Sequence, residues 1–168
     1  MLALVALLSL MFHLRKIPIA EFNKVRWTKN EAPRIEMSGL FANKVAYWLS
    51  LQIVAEAKMK DQLKLWAHVV QIGKHLLQLQ NFNSLLAVYL ALQNKQIKQM
   101  QVEWGSKTKK SLQALKQIES VMNPLNNFAA YRAYTKELHY PLIPCVGTLL
   151  PNCFLLSVLP IDLIFVLL

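Results

Sequence analysis

Glycine is scarce in this chain: only four occur in 168 residues, at positions 39, 73, 105 and 147. A fold with many strands needs many tight turns, and such turns draw on glycine, so the scarcity disfavours a β fold. Leu, Ala, Lys and Gln, all good helix formers, are abundant instead. The composition therefore predicts an all-α protein, and the length suffices for one domain with a hydrophobic core.

Cysteine and acidic residues are also few. The two cysteines, Cys145 and Cys153, have no metal-binding or redox spacing and cannot form a disulfide framework, which favours reduced side chains in a cytosolic protein. Nine acidic residues stand against nineteen Lys and Arg, which gives a net charge of +10. Such an excess suits a nucleic acid, an anionic membrane surface or an acidic protein, and it does not choose among them.

The glycine-rich and nucleophile motifs of common enzymes are absent from the sequence. His68 and His75 share a helix face, but no third ligand is near them in sequence, so neither a metal nor a cofactor is expected. Glu119 and Glu137 have no acid or base partner in the pattern. A motif for nucleic-acid recognition is missing too. We therefore expect the protein to act by binding.

Both ends of the chain are strongly apolar. Residues 1–12 read MLALVALLSLMF, which favours a buried first helix over a targeting segment, because no positive charge precedes the run. Residues 153–168 read CFLLSVLPIDLIFVLL, with one charge at Asp162 and a helix-interrupting Pro160. This segment fits a partial anchor, a strand-like tail or sequence from a misread exon end.

Helical periodicity dominates the first half of the sequence between these ends. Ser38 is a reasonable N-cap for a helix whose apolar stripe would contain Phe41, Val45, Trp48 and Gln52. A clearer amphipathic helix follows, with apolar residues recurring every three or four positions: Trp66, Val69, Val70, Gly73, Leu76 and Leu77.

Asn81-Phe82-Asn83-Ser84 interrupts this pattern and supplies capping side chains, after which residues 85–92 form a helix that is apolar on most sides. Such a helix belongs at the centre of a bundle. A polar, basic stretch leads to Gly105, and Ser106 would cap the next helix. Residues 123–127 break that helix before helical spacing resumes at Phe128.

Several motifs together resemble the catalytic domain of Ras-type guanine-nucleotide exchange factors, the RasGEF family. They are HLRKIPIAEF, RWTKNEAPRI, ANKVAYWLSLQIV, GKHLLQLQNFNSLLAVYLALQ, YRAY and PLIPCVGTLLPN, and they occur in the family's order over residues 10–152. The Glu103-Trp104 and YRAY stretches lean toward the Rap-directed branch. The resemblance implies residues 1–152 as a partial exchange domain and 153–168 as a divergent apolar tail.

The resemblance also implies a set of site residues for a Ras- or Rap-family GTPase. Leu86, Gln93, Asn127, Phe128, Gly147 and Leu150 would bind the partner, and Asn152 and Phe154 would act in the exchange step. In the family this step belongs to a helical hairpin that opens the nucleotide site, and Phe154 falls where its apolar wedge would lie. Gln93 stands where the family usually has Asn or Asp.

The sequence then departs from the family, because LLSVLPIDLIFVLL replaces the acidic stretch expected after Phe154. The implied fold is a multi-helix domain that lacks most of the hairpin and the closing helices. The leading hypothesis is a cytoplasmic exchange factor, with membrane recruitment left open. Its alternatives are a GTPase-binding fragment without exchange activity and a basic, membrane-associated helical protein.

Overall fold

A computed structural model describes residues 14–22, 32–139 and 141–146. The helices are α1 (Ile19–Phe22), α2 (Pro33–Val54), α3 (Met59–Gln78), α4 (Phe82–Leu92), α5 (Lys95–Trp104), α6 (Lys109–Val121) and α7 (Leu125–Lys136), with a 3₁₀ turn (Gly105–Thr108) between α5 and α6. Within these ranges the only β pairing is an isolated bridge between Asn81 and Ile143. The expectation of an all-α fold is confirmed.

Helix α4 lies at the centre of the core, as its apolar character on most sides predicts. Helices α2 and α3 pack against it, and α6 packs against α3. The α4 side chains without solvent exposure are Phe82, Ser84, Leu85, Ala87, Val88, Ala91 and Leu92. Burial of side chains of this size stabilises the fold by about 1.5–3 kcal/mol for each large one, so α4 contributes much of the hydrophobic free energy.

Gly73 is the point where α3 approaches α4 and α6 most tightly. A Cβ built at this position would lie 2.6 Å from Cδ1 of Ile118 and 3.1 Å from Cγ1 of Val88. Both distances are shorter than ordinary carbon contacts, so a side chain at this position would displace Ile118 and Val88. The glycine in the predicted apolar stripe of α3 is therefore a packing residue.

Two tryptophans close the core on the side of α5. The ring centroids of Trp66 and Trp104 are 5.6 Å apart at an interplanar angle of 59°, and both side chains are buried. A tilted arrangement of this kind is favourable for aromatic pairs. The contact ties α3 to the end of α5.

Helix α2 differs from the helix that the sequence predicts for this segment. Helix α2 begins at Pro33, and Ser38 is a buried residue inside it, so Ser38 is not an N-cap. The α2 residues that face the core are Ile35, Ser38, Ala42, Val45, Ala46, Leu49, Ser50 and Ile53, whereas Gln52 is exposed. The predicted stripe of Phe41, Val45, Trp48 and Gln52 is therefore only partly correct, because the buried face of α2 contains Val45 and leaves out Gln52.

The structure differs from the sequence-based prediction in two further places. The polar stretch before Gly105 is helix α5, which buries only Ile97 and Trp104. Helix α6 begins after Thr108 and not after Ser106, because the 3₁₀ turn lies between Gly105 and the helix. None of the helices in the described ranges combines the length and apolar character that crossing a bilayer requires.

Candidate functional site

Residues 141–146 form an extended strap that is attached to the start of α4. The backbone N–H of Phe82 donates to the carbonyl of Ile143 at 2.9 Å, and the N–H of Ile143 donates to the carbonyl of Gln80 at 3.0 Å. Gln80 has a φ of 54°, a left-handed conformation that reverses the chain after α3. The strap is thus fixed by two backbone hydrogen bonds at the end of α3 and the N-terminus of α4.

Side chains from two helices hold the last residues of the strap. The hydroxyl oxygen of Tyr131 accepts a hydrogen bond from the backbone N–H of Cys145 at 3.1 Å. Oδ1 of Asn83 accepts a longer one, 3.5 Å, from the N–H of Val146. The ring of Phe82 packs edge-on against Tyr131, with centroids 5.2 Å apart. Side chains of helices α4 and α7 therefore both bind the strap.

The motif Asn81-Phe82-Asn83-Ser84 has mainly structural roles. Oδ1 of Asn81 accepts from the N–H of Ser84 at 3.1 Å and caps α4, as the sequence predicts. Phe82 and Ser84 have no solvent exposure. Asn83 adds a role that its sequence context does not show, since it contacts a residue 63 positions away.

Beneath the strap, a small second apolar cluster joins both ends of the described chain. Val146 packs there with four other buried residues, which are Leu14, Ile17, Ala32 and Ile35. Residues before α2 and residues after α7 therefore meet at the N-terminal end of α2. Apolar contact between such distant segments stabilises the position at which the chain continues to Gly147.

Two of the predicted site residues lie one helical turn from residues that bond the strap, and a third follows the strap in the sequence. Leu86 lies one helical turn after Asn83, Phe128 lies one turn before Tyr131, and Gly147 follows Val146 directly. Leu86 and Phe128 are both half-buried against the main core. The predictions for Gly147, Leu150, Asn152 and Phe154 concern residues outside the described ranges.

The segment Asn126–Phe128 has an unusual backbone. Its φ values are 50°, 57° and 56°, so three consecutive residues adopt the left-handed conformation at the start of α7. Nη2 of Arg132 donates to the carbonyl of Asn126 at 3.1 Å and closes this corner. Asparagine tolerates such angles, whereas a left-handed phenylalanine is strained by roughly 1–2 kcal/mol. The corner leaves Asn127 exposed and turns Phe128 toward the core.

Gln93 lies apart from the other predicted residues, at the C-terminal end of α4. Its Nε2 donates to Oε1 of Glu119 at 2.9 Å, and Nζ of Lys98 contacts the same oxygen at 2.5 Å. This polar cluster joins α4, α5 and α6. Leu86 and Phe128 are each one helical turn from a residue that bonds the strap, whereas Gln93 lies at the opposite end of α4.

Charges in this cluster change two pKa values. Burial opposes ionisation of Glu119, but the hydrogen bonds from Lys98 and Gln93 and the charges of Lys98 and Lys116 outweigh it, and the pKa of Glu119 is lowered. Burial, followed by the charge of Glu119, raises the pKa of Tyr89. Glu119 is therefore the fixed negative charge of an otherwise basic region.

The sequence does not predict Glu119 and Lys98 as site residues. They are 21 positions apart on different helices, and no periodic pattern in the sequence links such a pair. The one signal that could have identified Glu119 is that it and Glu103 are the only acidic residues beside the six lysines of residues 95–119. Tyr131 was predicted only as part of a helical pattern, and its bond to Cys145 has no sequence signature.

Comparison with known proteins assigns a family to this arrangement. The family model of the RasGEF domain matches residues 4–160. The chain is 30% identical over 131 residues to a yeast protein, guanine nucleotide exchange factor SDC25 of Saccharomyces cerevisiae, which covers 77% of this chain and 10% of that protein. It is 30% identical over 141 residues to human Rap guanine nucleotide exchange factor 1, covering 82% of this chain and 12% of that protein.

A third relative is the mouse Ras-specific guanine nucleotide-releasing factor RalGPS1, 28% identical over 141 residues that cover 81% of this chain and 23% of that protein. The chain thus spans less than a quarter of the length of these relatives. Its family is nevertheless clear, because the matched region includes both the strap and the helices that hold it. The chain belongs to the RasGEF domain family.

Proposed function

We propose that the chain engages a Ras- or Rap-family small GTPase and promotes release of its bound guanine nucleotide. Leu86, Gln93, Asn127 and Phe128 form the partner-binding surface in this proposal, and Gly147 and Leu150 extend it. Asn152 and Phe154 act in the exchange step. The names of the relatives support a guanine-nucleotide exchange role. The human relative is named for Rap, and the mouse relative is named Ras-specific.

The observation that carries the proposal is the attachment of the strap. Tyr131 and Asn83 fix residues 145 and 146 between α4 and α7. Gly147 therefore follows a segment whose end is fixed by two side chains. In this proposal residues of α4, of α7 and of the chain after Val146, which are far apart in sequence, form one surface, as a binding site for a protein requires.

Unpaired polar atoms around the strap also support a site at this place. Oε1 of Gln80, Nδ2 of Asn83 and Nη1 of Arg132 are buried and have no hydrogen-bond partner among the described residues. Each such atom costs about 1–3 kcal/mol when it stays unpaired. Polar groups of the chain after Val146, or of the GTPase, would satisfy them.

The strained corner fits the same role. Three consecutive left-handed residues are costly, and strain of this kind is concentrated at functional sites. The corner presents the amide of Asn127 to solvent beside the half-buried ring of Phe128. A polar group beside an apolar anchor is a common arrangement at protein interfaces.

Exchange of this kind needs no covalent chemistry. If the chain weakens nucleotide binding to the GTPase, the nucleotide weakens binding of the chain by the same factor. The chain must therefore bind the nucleotide-free GTPase most tightly. A cytoplasmic location with recruitment to the membrane, and the division of the chain at residue 152, belong to the same proposal.

The test is release of a fluorescent guanine nucleotide from purified Ras, Rap and Ral GTPases after addition of the full chain. A parallel titration measures binding to the nucleotide-free form of each GTPase. Asn127→Ala is the site variant, and Val102→Ala is its control, because Val102 is 82% exposed on α5, away from the strap. We expect faster release from at least one GTPase, reduced by the first variant only.

Binding without faster release would replace the proposal with a GTPase-binding fragment that lacks exchange activity. Neither binding nor release, from protein shown to be folded by its unfolding transition, would overturn both. Equal effects of the two variants would remove Asn127 from the site while leaving the exchange function in place.

A further inference from the structure

Helix α2 presents an exposed, largely apolar stripe on the side opposite the core. Its apolar members include Met37, Leu40, Tyr47 and Leu51, which are 58%, 56%, 64% and 40% exposed. The spacing of three, seven and four residues keeps these side chains on one side of the helix. Pro33, Glu36, Asn43 and Lys44 are exposed on the same side and complete what we call the α2 stripe.

Exposure of this much apolar surface on one helix is unusual for a protein that stays alone in solution. Four of the ten large apolar residues that are exposed in the described ranges lie on the α2 stripe. Contiguous apolar surface rimmed by polar residues marks an interaction site. The buried side of α2 already packs on α4, so the stripe is available for a contact outside the described core.

The two charges of the stripe indicate what that contact is. Glu36 and Lys44 are exposed and form no ion pair with any described residue. They lie two helical turns apart with Leu40 midway between them. A helix that carries the opposite charges at the same separation, around an apolar centre, would match the stripe, and α2 itself is such a helix when its direction is reversed.

We propose that the α2 stripe pairs with the α2 stripe of a second copy of this chain, with the two helices antiparallel. A two-fold axis near residue 40 places Leu40 of each copy opposite Leu40 of the other. It also places Tyr47 of each copy opposite Pro33 of the other, and Met37 opposite Asn43. Each interface residue then has the same environment in both copies, as a two-fold interface requires.

The charges support the antiparallel direction. In this register Glu36 of one copy lies opposite Lys44 of the other, so two ion pairs form, whereas the two Lys44 side chains are eight residues, about 12 Å, apart along the axis. A parallel arrangement in register would place Lys44 against Lys44 and Glu36 against Glu36, which is unfavourable. Antiparallel helix dipoles also attract each other weakly.

The size of the stripe sets the strength of the association. Met37 and Leu51 are 14 residues apart, so the seam is about 21 Å long. One helix pair of this length buries less than the roughly 1,200 Å² of a standard stable interface. The dimer is therefore weak and forms at micromolar or higher concentration.

The experiment is analytical ultracentrifugation of the full chain over about 5–500 μM, with five variants. We expect a reversible monomer–dimer equilibrium that Leu40→Asp weakens about tenfold or more, which is about 1.4 kcal/mol. Val102→Asp is the matched control, because it places the same charge on an exposed residue of α5. Leu40 is 56% exposed, so its variant is expected to keep the unfolding midpoint of the unmodified monomer.

Charge-reversal variants provide the more specific test of the antiparallel pairing. Glu36→Lys alone and Lys44→Glu alone each place like charges together and weaken the dimer, whereas the double variant restores it. Association through the apolar ends of the chain would be insensitive to these changes. A monomer at all concentrations, a dimer unaffected by Leu40→Asp, or a double variant as weak as the single ones would each overturn the proposal.

Discussion

The hydroxyl oxygen of Tyr131 lies 3.1 Å from the backbone nitrogen of Cys145, and this bond fixes the strap to α7. Cys145 has no solvent exposure, so its N–H would have no access to water if the hydroxyl were absent. A buried amide that loses its acceptor costs more than the hydrogen bond contributes when formed. The Tyr131 hydroxyl therefore stabilises the part of the chain that leads into the candidate site.

Tyr131→Phe tests this relationship. We expect the free energy of unfolding to fall by about 0.5–1.5 kcal/mol, because the hydrogen bond from the buried amide of Cys145 is lost while the ring still packs on Phe82. Hydrogen exchange at Cys145 should accelerate. Tyr134→Phe is the control, since the Tyr134 hydroxyl bonds to no described residue, and equal losses in both variants would contradict the assignment.

The cluster at Glu119 predicts a dependence of stability on pH. The pKa of Glu119 is lowered in the folded protein from an ordinary value near 4.5, so the group binds protons more weakly when folded. Its stabilising contribution is present above pH 4.5 and is lost as pH falls through the lower folded pKa. Since Glu119 and Lys98 are about a third exposed, solvent screening keeps this contribution below about 1 kcal/mol.

Urea unfolding of the unmodified chain and of Glu119→Gln, at pH 7 and at pH 4, measures this contribution. We expect the variant to be the less stable of the two at pH 7, and the difference between them to shrink at pH 4. Lys98→Met should lose a similar amount at pH 7, and the double variant should lose less than the sum. A difference that grows on acidification would show that the pKa is raised instead.

The sequence predicts the parts of this fold that depend on contacts between residues close together in the chain. Helices α3 and α4 follow from periodicity, and the Asn81 cap follows from the type and place of one residue. Helix α5 was missed because only Ile97 and Trp104 are buried, which leaves little periodic signal in a polar segment. Local patterns thus predicted the centre of the bundle better than its margin.

The candidate site depends on long-range contacts that no local pattern contains. The resemblance to the family supplied Leu86 and Phe128, but not the bonds from the strap to Asn83 and Tyr131, each one helical turn from one of them. The wrong N-cap at Ser38 has the same origin. The backbone N–H groups in the first turn of α2 are instead capped by the carboxylate of Glu21, thirteen positions before Arg34, and its reach depends on the tertiary fold.

That cap is itself testable. Oε2 of Glu21 accepts hydrogen bonds from the backbone N–H groups of Arg34 at 2.9 Å and Ile35 at 3.1 Å. Glu21→Ala removes this acceptor from the first turn of α2, and we expect a loss of about 0.5–2 kcal/mol in the free energy of unfolding. Glu137→Ala, at an exposed position after α7, should change it by less than about 0.5 kcal/mol. Equal losses would exclude the remote cap.

Gly73 and Gly39 form a matched pair for packing. Gly73 has Ile118 and Val88 against the place of its Cβ, whereas nothing lies within 4 Å of that place at Gly39. We expect Gly73→Val to lower the free energy of unfolding by about 1–3 kcal/mol through overpacking. Gly39→Val should change it by less than about 0.5 kcal/mol, since valine is a slightly better helix former than glycine. Similar values from denaturant titration of both would contradict the close approach at Gly73.

The corner at Asn127 allows stability and partner binding to be separated. Asn127 has a φ of 57°, which glycine adopts freely, asparagine tolerates and alanine adopts only at a cost. We expect Asn127→Ala to lower the free energy of unfolding by about 1 kcal/mol, and Asn127→Gly to leave it nearly unchanged. Both variants remove the exposed amide, so both should weaken binding to the nucleotide-free GTPase by a similar factor. Weakening by the alanine variant alone would mean that the corner matters for its backbone shape and not for the amide of Asn127.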